Sequence, residues 1–152
     1  MNELPLEKDI IVRRLEGIEL ELRELSSLSK QELNEFSGGD GWKLAQFHLH
    51  RALEGVFNIS SHILSRIPGA VATQYKEIAL KMGEYKIVPP DFANTKLVEM
   101  AKYRNRLVHF YAEIGPEELH KILNSDLTDF DTFLASVKNI LLNPEKYGLT
   151  VK

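Results

Sequence analysis

The chain has 152 residues, of which 43% are hydrophobic and 27% charged, and its formal net charge is −3. This length favours one domain covering residues 1–152, and the apolar fraction is that of a globular protein. The acidic balance excludes a generally basic surface for nucleic acid, so any contact with RNA has to be local. The absence of cysteine excludes disulfides, thiolate metal sites and a cysteine nucleophile.

The chain has no apolar run of the roughly 18 residues that a membrane span needs. The first residues also lack a basic stretch followed by an apolar one, so we expect no signal peptide. Together with the lack of cysteine, this predicts a cytoplasmic protein that makes no contact with membranes.

Helical periodicity dominates the first quarter of the chain. Apolar residues spaced by four and three predict a helix over residues 6–27. This stripe consists of Ile11, Leu15, Ile18, Leu22 and Leu25. Residues 29–32 have the pattern of a capping box that opens a short helix toward Phe36. A glycine-rich turn follows, and Asp40 is placed to cap the next helix.

The next helix, over residues 42–66, is apolar on more than one side, which is typical of a central helix or of a subunit interface. The apolar residues outside the main stripe of this helix are Leu44, Phe47, Leu53, Phe57 and Leu64. A weaker pattern predicts a helix over residues 70–82 that stops at Gly83. Two prolines then form a stiff connector, and Asp91 is placed to cap the following helix.

A fourth long helix is predicted over residues 92–111, and Gly115-Pro116 closes one element and opens another. A final long helix is expected to stop near Asn143. No segment shows the alternation of a strand. The sequence therefore predicts an all-α fold, an antiparallel up-and-down bundle of four to five main helices.

The apolar stripe of the fourth long helix is interrupted by Arg104, which lies seven residues after Leu97 and seven before Tyr111. A charge facing the core is costly unless it is paired or faces a cleft. One interpretation is a functional site. The alternative is a structural arginine paired with an acid on another helix, such as Glu54 or Asp131.

His109 lies in the same basic and aromatic stretch. Metal-independent RNA cleavage needs a base for the 2′-hydroxyl proton and cationic donors for the phosphate, and histidine and arginine suit these tasks. Asn105 is placed to orient either group. The alternative is a histidine that complements the dipole at the end of its helix. In a straight helix Arg104 and His109 point about 140° apart. Fraying near His109 would reduce this separation, but we prefer a symmetric dimer that brings two copies of the stretch into one cleft.

Residues 104–111 read R-x4-H-x-Y with Asn after the Arg, and this pattern resembles the signature of HEPN-domain toxins, in particular the HepT group. The chain length, the motif's place late in the fourth helix and the final helix agree with it. The resemblance implies a HEPN-like fold and a homodimeric, metal-independent endoribonuclease without cofactors. It makes Arg104 and His109 the catalytic pair and Asn105 their supporting neighbour. Arg106 is a second basic residue that could share phosphate binding.

The resemblance also implies a partner. HepT toxins pair with MntA, a small nucleotidyltransferase antitoxin that resembles a protein adenylyltransferase, and the tyrosine modified would be Tyr111. This would be a type VII-like toxin–antitoxin system whose substrate is an RNA, with transfer RNA one candidate. A second hypothesis is a non-catalytic dimeric module that docks a nucleotidyltransferase or a nucleotide. A third is a structural helical dimer in which the motif is incidental.

The remaining histidines predict no metal site. His48 and His50 point to different faces of one helix, His62 lies more than three turns away, and His120 looks like a surface residue. The glycines around Asp40 indicate a turn and not a phosphate loop, because no strand precedes them and no Gly-Lys-Ser follows.

Overall fold

The computed structural model describes residues 4–109 and 114–152, and these residues form an all-α structure, as predicted. The helices are α1 (Lys8–Ser29), α2 (Leu33–Gly38), α3 (Gly41–Leu64), α4 (Tyr75–Glu84), α5 (Pro90–Phe92), α6 (Val98–Val108), α7 (Pro116–Ser125) and α8 (Thr128–Leu142). Segments α5 and α6 are joined into one helix by a π-helical turn, Ala93–Leu97, and a 3-10 turn, Pro144–Tyr147, follows α8.

Helices α1 and α3 pack antiparallel along most of their lengths. The N–H of Glu7, before α1, donates to His62 Nε2 near the end of α3 at 3.1 Å. Glu21, two turns from the end of α1, contacts His48 in the first half of α3. The predicted stripe of α1 is buried against α3 at Ile11, Leu15, Ile18 and Leu25. Periodicity in the sequence thus identified the face of α1 that enters the core.

Helix α3 is central, as its broad apolar surface predicts. Leu53, Phe57 and Leu64 are buried, so the additional apolar residues in its second half pack against other helices. Leu44 and Phe47, near its start, are instead 48% and 57% exposed. The exposed apolar surface of α3 is therefore confined to its N-terminal part.

Several predicted helix signals are wrong. Ser29 does not form a capping box, because its hydroxyl donates back to the carbonyl of Ser26 at 2.6 Å. Asp40 precedes α3 but its side chain caps no backbone N–H. Gly83 does not stop α4 but lies inside it, where a Cβ would lie only 2.5 Å from Cβ of Ala93. This glycine allows α4 to approach the π-helical turn closely.

The last residues return to the start of α1. The N–H of Leu6 donates to the carbonyl of Thr150 at 2.8 Å, and the N–H of Lys152 donates to the carbonyl of Leu6 at 2.9 Å. Both bonds join backbone groups at the two ends of the chain. None of the helices in the described ranges combines the length and apolarity required to cross a membrane.

Candidate active site

Arg104 lies on α6 where the apolar stripe predicts a core-facing residue, and its charge is paired. Leu97, Met100 and Ala101, on the preceding turns, are buried, while the side chain of Arg104 is 21% exposed. Its Nε donates to Oε1 of Glu54 on α3 at 2.5 Å. Of the two acids that the sequence offered as partners, the structure selects Glu54.

A second element also holds the guanidinium. Arg104 Cζ lies 4.0 Å from the ring centre of Tyr75, the first residue of α4. A cation over an aromatic face is stabilised by the negative charge of the ring face. Helices α3 and α4 therefore fix the orientation of Arg104 from two sides.

The Glu54 carboxylate connects these groups. The Tyr75 hydroxyl donates to its Oε2 at 3.3 Å. Burial and the Glu54 charge raise the pKa of Tyr75, so this hydroxyl stays protonated and able to donate. Nε2 of His50 lies 3.3 Å from Oε1, but the contact lacks hydrogen-bond geometry, and this atom is buried without a hydrogen-bond partner among the described residues.

Arg104 keeps hydrogen-bonding capacity on its outer nitrogens. Nη1 donates to Oδ1 of Asn105 across a long 3.4 Å, and Nη2 has no acceptor among the described residues. Because Nε is occupied by Glu54, the guanidinium is anchored while Nη2 remains available to a further acceptor. Such an arrangement suits binding of a phosphate oxygen.

His109 lies just beyond the end of α6. The helix ends at Val108, earlier than the predicted end at residue 111, and His109 has the extended angles φ −113° and ψ 117°. Its backbone N–H donates to the carbonyl of Arg106 at 3.4 Å, and its side chain is exposed. The separation of about 140° expected in a straight helix does not apply, because His109 is not helical. Tyr111 lies outside the described residues.

Arg106 faces α7. Its Nη1 and Nη2 donate to the two carboxylate oxygens of Glu118, each at 2.6 Å. This bidentate pair raises the pKa of Arg106 and lowers the pKa of Glu118. The pair attaches the end of α6 to the first turn of α7.

The other histidines have structural contacts. His48 pairs with Glu21 at 2.5 Å, and His62 accepts the N–H that precedes α1. His120 was predicted to be a surface residue, and this is wrong: its Nε2 lies 2.8 Å from the carbonyl oxygen of Gln31 and its ring packs on Phe36. Within the described ranges, no group of His, Asp and Glu side chains is arranged to hold a metal ion.

The comparison with protein families decides the assignment. A family model described as HepT-like, ribonuclease HepT-like, matches residues 18–137. The chain belongs to the HepT-like ribonuclease family. The prediction of an endoribonuclease of the HepT group is thereby confirmed at the level of the family.

Individual relatives of this HepT-like ribonuclease agree in length and fold. The tRNA nuclease HepT of Aphanizomenon flos-aquae is 25% identical over 142 residues, which cover 93% of this chain and 96% of the relative. A Shewanella oneidensis HEPN toxin, solved tri-AMPylated and in complex with an MNT antitoxin, has a TM-score of 0.78 at 18% identity. That match covers 91% of this chain and 99% of the toxin. A toxin–antitoxin structure with AMP-PNP has a TM-score of 0.75 at 19% identity, covering 86% and 98%.

Sequence reasoning missed the part of the HepT-like site that comes from other helices. Tyr75 was predicted only to lie within the helix over residues 70–82, and His50 was considered only as a metal ligand. Tyr75 has no local signal, because it reaches Glu54 only through the packing of α4 on α3. His50 lies four residues before Glu54 on α3, and this spacing could have indicated their contact. The signal in the sequence was Arg104 itself, because a charged side chain on a core-facing stripe needs a partner.

Proposed function

We propose that this HepT-like ribonuclease is the toxin of a type VII-like toxin–antitoxin pair and cleaves RNA without a metal ion. Arg104 and His109 are its catalytic residues, with Asn105 in support. The observation that carries the proposal is Arg104, which Glu54 and Tyr75 hold on α6 with no acceptor for Nη2 among the described residues. A merely structural arginine would be expected to use Nη2 within the fold as well as Nε and Nη1.

The chemistry follows from these groups. His109 removes the proton of a ribose 2′-hydroxyl, and the 2′-oxygen attacks the adjacent phosphorus. The 5′-oxygen of the next nucleotide leaves and takes up a proton. The products are a 2′,3′-cyclic phosphate and a 5′-hydroxyl. Arg104 donates to the phosphate oxygens, whose negative charge is most concentrated in the transition state.

Transfer RNA is the proposed substrate class, supported by the name of the Aphanizomenon relative. The experiment is incubation of the purified chain with total tRNA in the presence of EDTA, followed by analysis of the fragment ends. We expect 2′,3′-cyclic phosphate ends from the wild type and none from Arg104→Ala or His109→Ala. Arg23→Ala is the matched control, because Arg23 is exposed on α1 and makes no contact with the described residues of the site. Intact RNA with the wild type would favour the alternative, a non-catalytic docking module.

We further propose a homodimer in which two copies of residues 104–109 share one cleft. Exposed Leu44 and Phe47 on the central helix support such an interface. The test mixes unfolded Arg104→Ala and His109→Ala protomers in equal amounts and refolds them together. If each site combines both protomers, half of the dimers carry one intact site of two, and about a quarter of the activity returns. No return of activity would place both residues of each site in one protomer.

The regulation that we propose is adenylylation of Tyr111 by an MntA-like nucleotidyltransferase. The tyrosine hydroxyl loses its proton and its oxygen attacks the α-phosphorus of ATP, pyrophosphate leaves, and the tyrosine carries AMP as a phosphodiester. Its negative charge would repel an RNA phosphate. The tri-AMPylated state of the Shewanella toxin supports this proposal. Co-expression with an MntA-like nucleotidyltransferase should add the mass of an AMP group to the wild type and to Tyr147→Phe, but not to Tyr111→Phe.

A further inference from the structure

A groove of about 440 Å³ runs between α1 and α3 on the side of Glu54. Its base is the point at which the two helices touch, because a Cβ on Gly55 would lie 2.7 Å from Cγ1 of Ile18. The α1 side of the groove is open at Gly17, because a Cβ added there would have no atom within 4 Å. The groove exists because these two helices cross closely and carry a glycine each.

Three arginines and two glutamates line the groove, and both glutamates are already paired with arginines. Arg13 and Arg14 line it from α1, and Arg51 lines it from α3. Arg51 donates to Glu21 at 2.7 Å, whereas Arg13 and Arg14 are exposed and make no hydrogen bond or ion pair with the described residues. The net charge of the chain is −3, so this cluster does not follow from a basic composition. Two exposed arginines beside an open groove fit an anionic ligand.

The groove is continuous with the candidate active site. Glu54 and His50 both line it, and Glu54 is the residue that holds Nε of Arg104 at 2.5 Å. A ligand in the groove would therefore lie next to the group that anchors Arg104. Neither Arg13 nor Arg14 belongs to the motif that identified the site.

We propose that the α1–α3 groove binds the phosphodiester backbone of the RNA next to the cleaved phosphate. Arg13 and Arg14 donate to its phosphate oxygens, and Gly17 leaves the space that the strand occupies. Arginine binds phosphate through two parallel N–H groups, and each such contact releases counterions from the RNA. The proposal rests on the proposed ribonuclease function, but it is measured by binding and therefore stands or fails separately.

The experiment uses the full-length chain with His109→Ala, so that RNA is bound and not cut. The probe is a fluorescein-labelled single-stranded RNA oligonucleotide, with total tRNA as competitor, titrated at several salt concentrations. Arg13→Gln with Arg14→Gln should raise Kd about tenfold, equivalent to about 1.4 kcal/mol. The slope of log K against log salt should become shallower by about 1.4, because each phosphate that an arginine neutralises contributes about 0.7. Arg23→Gln on the same helix is the control and should change neither quantity.

A second pair of variants separates charge from shape without touching an arginine. Gly17→Glu places a carboxylate one turn from Arg13 and Arg14 and should weaken RNA binding more than Gly17→Gln, which has the same size without the charge. Both should fold, because the side chain enters open space. If the arginine variants and Gly17→Glu bind RNA as tightly as their controls, the groove proposal is overturned.

The outcomes distinguish the two proposals. Wild-type cleavage with a KM that is unchanged by Gly17→Glu contradicts the groove and leaves the ribonuclease function intact. Absence of cleavage together with charge-dependent RNA binding contradicts the catalytic proposal and supports the groove. If the variants leave RNA binding unchanged but alter the mass of the protein in sedimentation, the groove holds a second protein chain and the RNA proposal is wrong.

Discussion

The contact between Glu54 and Arg104 gives the most direct test of the site. Glu54→Gln keeps the size of the side chain and removes its charge. Arg104 then has no carboxylate at Nε, although its side chain is only 21% exposed. The Tyr75 ring still faces the guanidinium, but a ring face compensates a buried cation less well than a carboxylate does.

The expected decrease in stability lies between two reference values. Hydrogen bonds to charged groups contribute about 1.5–3 kcal/mol, whereas exposed ion pairs contribute about 0–1 kcal/mol. The two side chains are 21% and 27% exposed, so the pair is partly screened by water. We therefore expect a coupling energy of about 1–2 kcal/mol. If Glu54→Gln loses that much free energy of unfolding, its Tm should be lower than that of the wild type by about 2–8 °C.

The assay is a double-mutant cycle of Glu54→Gln and Arg104→Gln, measured by urea unfolding at one protein concentration. One concentration is used throughout, because the stability of a dimer depends on the protomer concentration. The control cycle uses Glu19 and Lys138, whose side chains are 38% and 56% exposed and which should couple weakly. If both cycles give less than about 0.5 kcal/mol, the inference that Glu54 anchors Arg104 is refuted.

Three further predictions concern packing and pH. The free energy of unfolding of Gly83→Ala should be about 1–3 kcal/mol lower than that of Gly17→Ala, because a Cβ at residue 83 would overlap Ala93 whereas a Cβ at residue 17 has no neighbour. Equal urea midpoints would show that α4 shifts to accommodate the added Cβ without loss of stability. Burial lowers the pKa of His62 in the folded protein, so as pH falls the unfolded chain binds a proton at this residue before the folded chain does. The free energy of unfolding should therefore decrease as pH drops below about 6.5. The urea midpoint of His62→Gln should lack that decrease, and parallel pH profiles of variant and wild type would exclude His62 as the cause. Hydrogen bonds from Arg106 lower the pKa of Glu118, so the ionised Glu118 stabilises the fold above about pH 4.5, and this stabilisation is lost as pH falls through the lowered pKa of the folded protein. Glu118→Gln should therefore have a lower Tm than the wild type at pH 7 and a similar Tm in acid. A difference in Tm that stays constant with pH would contradict this interpretation.

The helices and the family were accessible from the sequence. Apolar residues spaced by three and four predict the buried stripe of α1 because helix geometry is local and repeats every 3.6 residues. The motif over residues 104–111 is likewise contiguous, so its resemblance to the HepT group needed no tertiary information. The sequence also indicated that Arg104 requires a partner, because an unpaired charge on a core-facing stripe is costly.

Helix ends were less accessible than helix faces. The capping box at Ser29 and the stop at Gly83 are absent, since each depends on a small energy that packing overrides. His109 lies outside the helix, so the angle of a straight helix could not predict its position. Local patterns place a helix well but place its last turn poorly.

The tertiary structure alone decided what surrounds Arg104. Glu54 lies 50 residues earlier in the chain, and the choice between Glu54 and Asp131 depends on which helix packs against α6. The groove depends on Gly17 and Gly55, on different helices, and only their crossing makes the space between them. Contacts between residues so far apart leave no periodic signal, because they are created by packing and not by the local geometry of either segment.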